Sequence, residues 1–236
     1  MAHDAPGNPY TDLIAANPEL QRVREVAFAA LHLEPGQCIL DAGCGGDEAA
    51  RLLAARLGGT GEVVWLDYHR EDLTCLPYPG GRFDAVHCER VLQTLADPGA
   101  AIAELARVTR PGGRLCLVDT DWESVAVDGL PAHLVAAVRH HLLATVVGRH
   151  LDMGRTLRRR LLRTGLLEVT AVPVALYFAD PMSAATVLPM LNPEIPPHAG
   201  LVPPGLREDW FGALSEAGSR GDFLATITMW VATAVV

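Results

Sequence analysis

Gln37-Cys38-Ile39-Leu40-Asp41-Ala42-Gly43-Cys44-Gly45-Gly46-Asp47-Glu48 is the stretch on which the reading of this chain turns. Cys38, Ile39 and Leu40 form a short apolar run suited to a buried strand, and Asp41 closes it. Gly43, Gly45 and Gly46 let the backbone turn and come close to a ligand. The segment 47–57 is rich in Ala, Leu and Arg, all strong helix formers, so a helix N-terminus with unpaired N–H groups follows the glycines directly. Gly58, Gly59 and Gly61 stop that helix, and Val63-Val64-Trp65-Leu66 forms a second apolar strand ending in Asp67. Strand, glycine turn, helix, strand and acid make one βαβ unit. An acid at the end of the second strand is placed to accept from ribose hydroxyls. From this order alone three readings stay open: a nucleotide cofactor, S-adenosylmethionine (SAM), or an ordinary tight turn.

The spelling narrows them. Asp41-Ala42-Gly43-Cys44-Gly45 resembles the D-x-G-C-G-x-G motif of class I SAM-dependent methyltransferases and not the G-x-G-x-x-G of dinucleotide binders. Asp67 follows Asp41 by 26 residues, close to the spacing of that family's ribose-binding acid. The passage from Asp72 through Leu76-Pro77 to Phe83-Asp84-Ala85-Val86 is similar to the family's run from its adenine-binding acid into the fourth strand. Glu89-Arg90-Val91-Leu92-Gln93-Thr94-Leu95 and the turn Arg110-Pro111-Gly112-Gly113 resemble the small-molecule enzymes of the methyltransferase type 11 group, which includes quinone-biosynthesis enzymes. The resemblance is strong over 37–123 and topological beyond.

The resemblance implies a Rossmann-like α/β sheet with helices on both faces, SAM as cofactor, and methyl transfer to a small-molecule acceptor. It places cofactor contacts at Asp41, Gly43, Cys44, Gly45, Gly46, Asp67, Tyr68, Asp72, Leu73 and Cys88. Ligands of open α/β sheets bind outside the carboxyl ends of the strands, which directs Arg90, Gln93, Asp119 and Trp122 toward the substrate. SAM is already activated, so the protein mainly supplies proximity and an excluded cavity. A general base is needed only when the acceptor must lose a proton; the candidates are His141, His69 and Asp121.

Two departures from the family pattern stand out. Asp47 occupies the position of the motif's last glycine. Only fifteen residues, 68–82, separate Asp67 from Phe83, whereas the family inserts a helix and most of a further strand there. Each parallel crossover needs a dozen or more residues, so against the family about 25 are absent. The expected sheet therefore lacks its usual edge strand or keeps a stub near 73–76. The second strand then lies closer to the edge, where it needs a cover, and the adenine pocket loses one wall. A homodimer partner is one candidate cover. These departures keep a second reading open: a methyltransferase-fold protein without methyl transfer, either a cyclase or pericyclase or a non-catalytic binding protein.

Composition limits the remaining classes. The chain has 236 residues, half of them hydrophobic, and a net charge of −9. That suits one sizeable domain and argues against a nucleic-acid phosphate backbone as partner. There is no lysine, which excludes Schiff-base chemistry through a lysine. Arg155, Arg158, Arg159, Arg160 and Arg163 cluster on one expected helix, where a solvated face is the simpler reading. Five cysteines without a C-x-x-C read as buried thiols in a reducing cytosol, so a cytoplasmic location is expected. Cys75, His87 and Cys88 match no usual zinc spacing, and no metal is expected. The apolar C-terminal run 223–236 is too short to span a bilayer and reads as a core strand.

The rest of the chain completes the expected domain. Segment 10–33 reads as a helix, a candidate cap over the cofactor within an N-terminal region 1–36. A single α/β domain covers 37–236. Helices are expected at 100–108, 131–150, 156–164 and 207–217, and strands at 115–118, where Asp119 ends the run, and at 167–178. The proline-rich stretch 192–205 is long enough to be a lid on the substrate side.

Overall fold

A computed structural model describes residues 17–43, 48–67, 70–145 and 150–236. The first helix, α1 (Pro18–Ala30), starts where Asn17 accepts from the Glu19 N–H and Pro18 supplies a fixed φ. The Asn17 amide also donates to Thr186 Oγ1 at 2.7 Å, tying the start of α1 to a distant helix. Leu20, Val23, Ala27 and Phe28 form its buried stripe.

The chain then runs β1 (Cys38–Gly43), α2 (Glu48–Arg56), β2 (Glu62–Asp67), β3 (Phe83–Glu89), α3 (Pro98–Val108), β4 (Thr109–Asp128), α4 (Ala132–Thr145), α5 (Met153–Arg163), β5 (Leu167–Phe178), α6 (Pro181–Val187), α7 (Arg207–Arg220) and β6 (Leu224–Val235). The strands form one six-stranded sheet in the order β2-β1-β3-β4-β6-β5. The pairs among β2, β1, β3 and β4 are parallel, and β6 runs antiparallel to both β4 and β5. The apolar C-terminal run is a core strand, as its composition indicates, and it is the reversed one in the sheet.

Alternation along the strands divides the core in two. Ile39, Ala85, Cys116 and Val118 face a layer built from α1, α2, α4 and α7. Leu40, Val86, Leu115 and Leu117 face a layer built from α3 and α5. The parallel strands are thus covered on both sides, which is why they read as near-continuous apolar runs.

The short link after β2 forms no strand among its described residues, so β2 is the sheet edge and Trp65 is 43% exposed. The link instead lies along α3. Glu104 accepts from the Leu76 N–H at 2.9 Å, and Arg107 donates to the carbonyls of Tyr78 and Leu76 at 2.9 and 3.1 Å. Leu73 and Leu76 are buried beneath it.

β4 corrects the expectation of a strand ending at Asp119: it continues to Asp128. The reason is β6, whose length offers pairing beyond the parallel part of the sheet. The register shifts between Asp121 and Ala126. There the Ser124 hydroxyl accepts from the Thr228 N–H at 2.8 Å and donates to the Asp121 carbonyl at 2.6 Å, replacing ladder bonds.

The opposite edge, β5, is blunted. Pro173 offers no N–H, Glu19 accepts from the Tyr177 N–H at 3.1 Å, and Arg22 donates to the Ala175 carbonyl. The proline-rich stretch folds as short 3₁₀ turns at Pro197–Ala199 and Pro204–Leu206. Arg207 holds the stretch through the carbonyls of Pro193 and Ile195 at 2.8 and 2.7 Å. No helix among the described residues is long and apolar enough to cross a membrane.

Candidate functional site at the carboxyl edge of the sheet

The end of β1 lies between the ends of two parallel strands. Gly43 pairs with Asp67 of β2, and Asp41 pairs with His87 of β3. The glycine-bearing strand and the acid predicted to take ribose hydroxyls therefore finish side by side. Cys44, Gly45, Gly46, Tyr68 and His69 lie outside the described residues. The Asp67 side chain is 22% exposed, with Arg70 Nε at 3.5 Å. Its carbonyl accepts from the N–H groups of Arg70 and Glu71 at 2.9 and 3.0 Å, starting the turn out of the sheet.

Asp72 is in a local turn, accepting from the Thr74 N–H at 2.9 Å and the Thr74 hydroxyl at 2.6 Å. Those two bonds hold its carboxyl below the usual carboxylate range. Leu73 and Cys88 are core side chains, buried with Leu40, Leu66 and Val86.

Behind this edge lies a buried polar layer beneath α1. The His87 Nδ1–H donates to Asp41 at 2.8 Å, and Phe28 of α1 packs edge-on against the imidazole with 5.2 Å between ring centroids. Nε2 of His87 is buried without a hydrogen-bond partner among the described residues. Two residues along β3, Glu89 receives the Arg24 fork through Nε at 2.8 Å and a terminal nitrogen at 3.3 Å. The other terminal nitrogen of Arg24 reaches Glu48 at 2.7 Å. Arg90 Nε lies 3.3 Å from the same Glu89 carboxylate. Burial raises the Glu89 pKa, but Arg24 and then Arg90 outweigh it, and the carboxyl falls to about 2. Arg90 itself has φ 57°, a left-handed conformation for a non-glycine residue, with its N–H donating to the Val118 carbonyl at 2.8 Å.

A second group forms at the end of the parallel part of β4. Asp119 is fully buried and accepts from the Gln93 N–H at 3.0 Å and the Thr120 N–H at 2.8 Å. Burial pushes its pKa up to about 7, partly offset by those two backbone donors and by Arg90. The Trp122 indole donates to the Gln93 side-chain carbonyl at 2.6 Å. Gly154 of α5 sits directly over this strand: a Cβ there would lie 2.6 Å from the Asp119 carbonyl and 2.9 Å from Trp230 Cδ1.

The structure thus gathers Gln93, Asp119 and Trp122 into one hydrogen-bonded network, with Arg90, the residue after Glu89, beside it. The base candidates are engaged separately. Asp121 is paired with Arg155 at 2.7 Å, and the same guanidinium also binds Glu123. The Nε2–H of His141 donates to the Gly200 carbonyl at 2.8 Å, fastening α4 to the proline-rich stretch. An apolar hollow lies between β4, α4 and α7, lined by Val125, Val127, Val135, Val138, Arg139, Leu142, Met190 and Trp210. None of the candidate residues lines it. Among the described residues no group of three or more His, Cys, Asp or Glu is placed to hold a metal ion.

Sequence reasoning missed Arg24, Glu48, His87 and Glu89. A signal existed for the first: Arg24 stands four residues from both Leu20 and Phe28, so a charge falls on the apolar stripe of α1.

Comparison with known proteins agrees with this geometry. The family described as "Methyltransferase domain" matches residues 54–117. The chain is 31% identical over 246 residues to an uncharacterised 37.1 kDa protein of transposon TN4556 from Streptomyces fradiae, covering 95% of this chain and 70% of that one. The chain belongs to the class I SAM-dependent methyltransferases. This methyltransferase is also 25% identical over 111 residues to the ubiquinone/menaquinone biosynthesis C-methyltransferase UbiE of Legionella pneumophila strain Corby. That match takes in 37% of this chain and 44% of the relative, so the chain spans under half the length of the quinone enzyme it resembles. A solved SAM-dependent methyltransferase from Aquifex aeolicus superposes with a TM-score of 0.53 over 98% of this chain and 100% of that one, at 14% identity, and so shares the fold.

Proposed function

We propose that this methyltransferase binds SAM across the carboxyl ends of β1 and β2 and transfers its methyl group to a small-molecule acceptor. The observation that carries the reading is the pairing of Gly43 with Asp67 at that edge. It supports the cofactor assignment because the partly exposed Asp67 carboxylate, beside the end of the glycine-bearing strand, suits a ribose diol. Gly43 and Asp67 would hold the nucleoside. Asp72 is exposed, with one carboxylate oxygen bound by Thr74, and would approach the adenine from the outer side.

SAM supplies a methyl group already activated on a sulfonium centre. The chain's own residues then orient and enclose. Gln93, Asp119 and Trp122 form a rigid polar floor next to Arg90 on the acceptor side. The proline-rich stretch 192–205, fastened by His141 and Arg207, is the proposed lid. Asp121 is held by Arg155, so a general base from this side is not part of the proposal; an acceptor that is already nucleophilic fits better.

The test is calorimetric titration with SAM and S-adenosylhomocysteine, on the wild type and on Asp67→Ala. Micromolar binding that weakens at least tenfold in the variant supports the reading. Absence of binding at millimolar cofactor would overturn it, in favour of a methyltransferase-fold protein working without SAM.

A further inference from the structure

Arg24 joins two segments that the sequence keeps far apart. Glu48 is the first residue of α2, directly after the glycine-bearing segment 44–47, and Glu89 is the last residue of β3. Both carboxylates converge on one guanidinium from α1, which is 8% exposed. We infer that Arg24 is a positioning residue for the cofactor cleft, setting the place of α2's N-terminus against the carboxyl end of β3. The inference rests on the SAM reading and assigns a residue outside the family motif to it.

Three observations favour positioning over simple stabilisation. Replacing a buried ion pair by well-packed apolar groups is often neutral or stabilising, so a charged triad beneath the otherwise apolar buried stripe of α1 is not needed to attach that helix. Leu20, Val23, Ala27 and Phe28 already do so. The fork also fixes geometry: three separate nitrogens each take a defined oxygen, at 2.7, 2.8 and 3.3 Å. Finally, the groups it fixes adjoin the site. Glu48 opens the helix that follows the glycine-bearing segment in sequence, and Glu89 precedes Arg90, whose backbone is held at φ 57°.

The experiment separates stability from positioning. Arg24→Met leaves the buried Glu89 with only the longer Arg90 contact at 3.3 Å, so both unfolding temperature and S-adenosylhomocysteine affinity should fall. Arg24→Met combined with Glu89→Met removes both buried charges and should recover most of the unfolding temperature. Its affinity should nevertheless stay at least tenfold below wild type, because Glu48 has lost its anchor. Hydrogen exchange at the amides of 48–53 should be faster in that double variant than in the wild type. Arg24→Lys keeps a charge but not the fork and should fall between wild type and Arg24→Met in affinity.

A double variant with wild-type affinity and wild-type exchange at 48–53 would overturn the inference. If the wild type itself binds no S-adenosylhomocysteine, the cofactor reading fails. The exchange measurement then still decides whether Arg24 anchors α2.

Discussion

The Asp41 carboxylate, the first acid of the glycine motif, is turned into the protein and held by the His87 Nδ1–H at 2.8 Å, with both side chains almost fully buried. Asp67, the second acid, remains partly exposed at the strand end. Two carboxylates that look equivalent in the sequence therefore sit in different environments, one internal to the fold and one partly exposed at the end of the edge strand.

The consequence is a division of effects. Asp41→Asn and His87→Leu should both destabilise the protein, and a double-mutant cycle by urea unfolding should give a coupling of about 1.5–3 kcal/mol, the range for a hydrogen bond to a charged group. Asp67→Ala should cost less than about 1 kcal/mol, since its pair with Arg70 is a surface contact, while it removes cofactor binding. Asp67→Ala that unfolds as readily as Asp41→Asn would contradict this division.

Gly154→Ala offers a test of how tightly α5 packs. The added Cβ would meet the Asp119 carbonyl at 2.6 Å, the Asp121 N at 3.0 Å and Trp230 Cδ1 at 2.9 Å, two of them backbone atoms that cannot swing aside. Overpacking of this kind costs about 1–3 kcal/mol. It should also push on the strand that presents Asp119 and Trp122. A variant with unchanged urea midpoint would show that α5 lies farther from the sheet than described.

Most of this fold was legible because its signals are local. The apolar runs at 38–40 and 63–66, each ended by an acid, mark parallel strands, and β5 spans Leu167–Phe178 as its pattern indicates. That no strand lies beyond β2 among the described residues followed from setting the fifteen-residue link against the family pattern. What stayed hidden depends on long-range pairing. The extension of β4 past Asp119 is dictated by β6, far along the chain. Cys88 and Leu73 carry motif positions yet face the core, because strand alternation and packing decide where a side chain points. The partners of Asp41, Glu89 and Asp121 are His87, Arg24 and Arg155, which no spacing rule links to them.

The blunted β5 edge predicts a solubility phenotype with little stability cost. Leu167, Val172 and Tyr177 are exposed on this strand, and its outward backbone groups at Ala175 and Tyr177 are occupied by Arg22 and Glu19. Combining Glu19→Ala with Arg22→Ala uncovers those groups for pairing with another chain. Light scattering should show concentration-dependent association of the double variant, while its urea midpoint shifts by an amount corresponding to about 1 kcal/mol or less. A variant that associates no more than the wild type would show that Pro173 alone protects the edge.

Glu89 and Asp119 should together give the protein a stability maximum on the acid side of neutrality. Glu89 is depressed to about 2 in the folded state, below its unfolded value, so its contribution is present above about pH 4.5 and is lost as pH falls toward 2. Asp119 is raised to about 7, so the folded state holds a proton that the unfolded chain releases near pH 4. Stability from this group therefore declines as pH rises from about 4 to 7, by up to roughly 3–4 kcal/mol. Asp119→Asn removes the titration but sets an amide NH2 against one of the two backbone donors, costing about 1–3 kcal/mol at pH 5. Urea midpoints at pH 5, 6.5 and 8 should fall steadily in the wild type and less steeply in Asp119→Asn, so the two curves converge toward pH 8. Parallel curves would mean that the Asp119 carboxyl is already ionised at pH 5, and that its two backbone hydrogen bonds outweigh its burial.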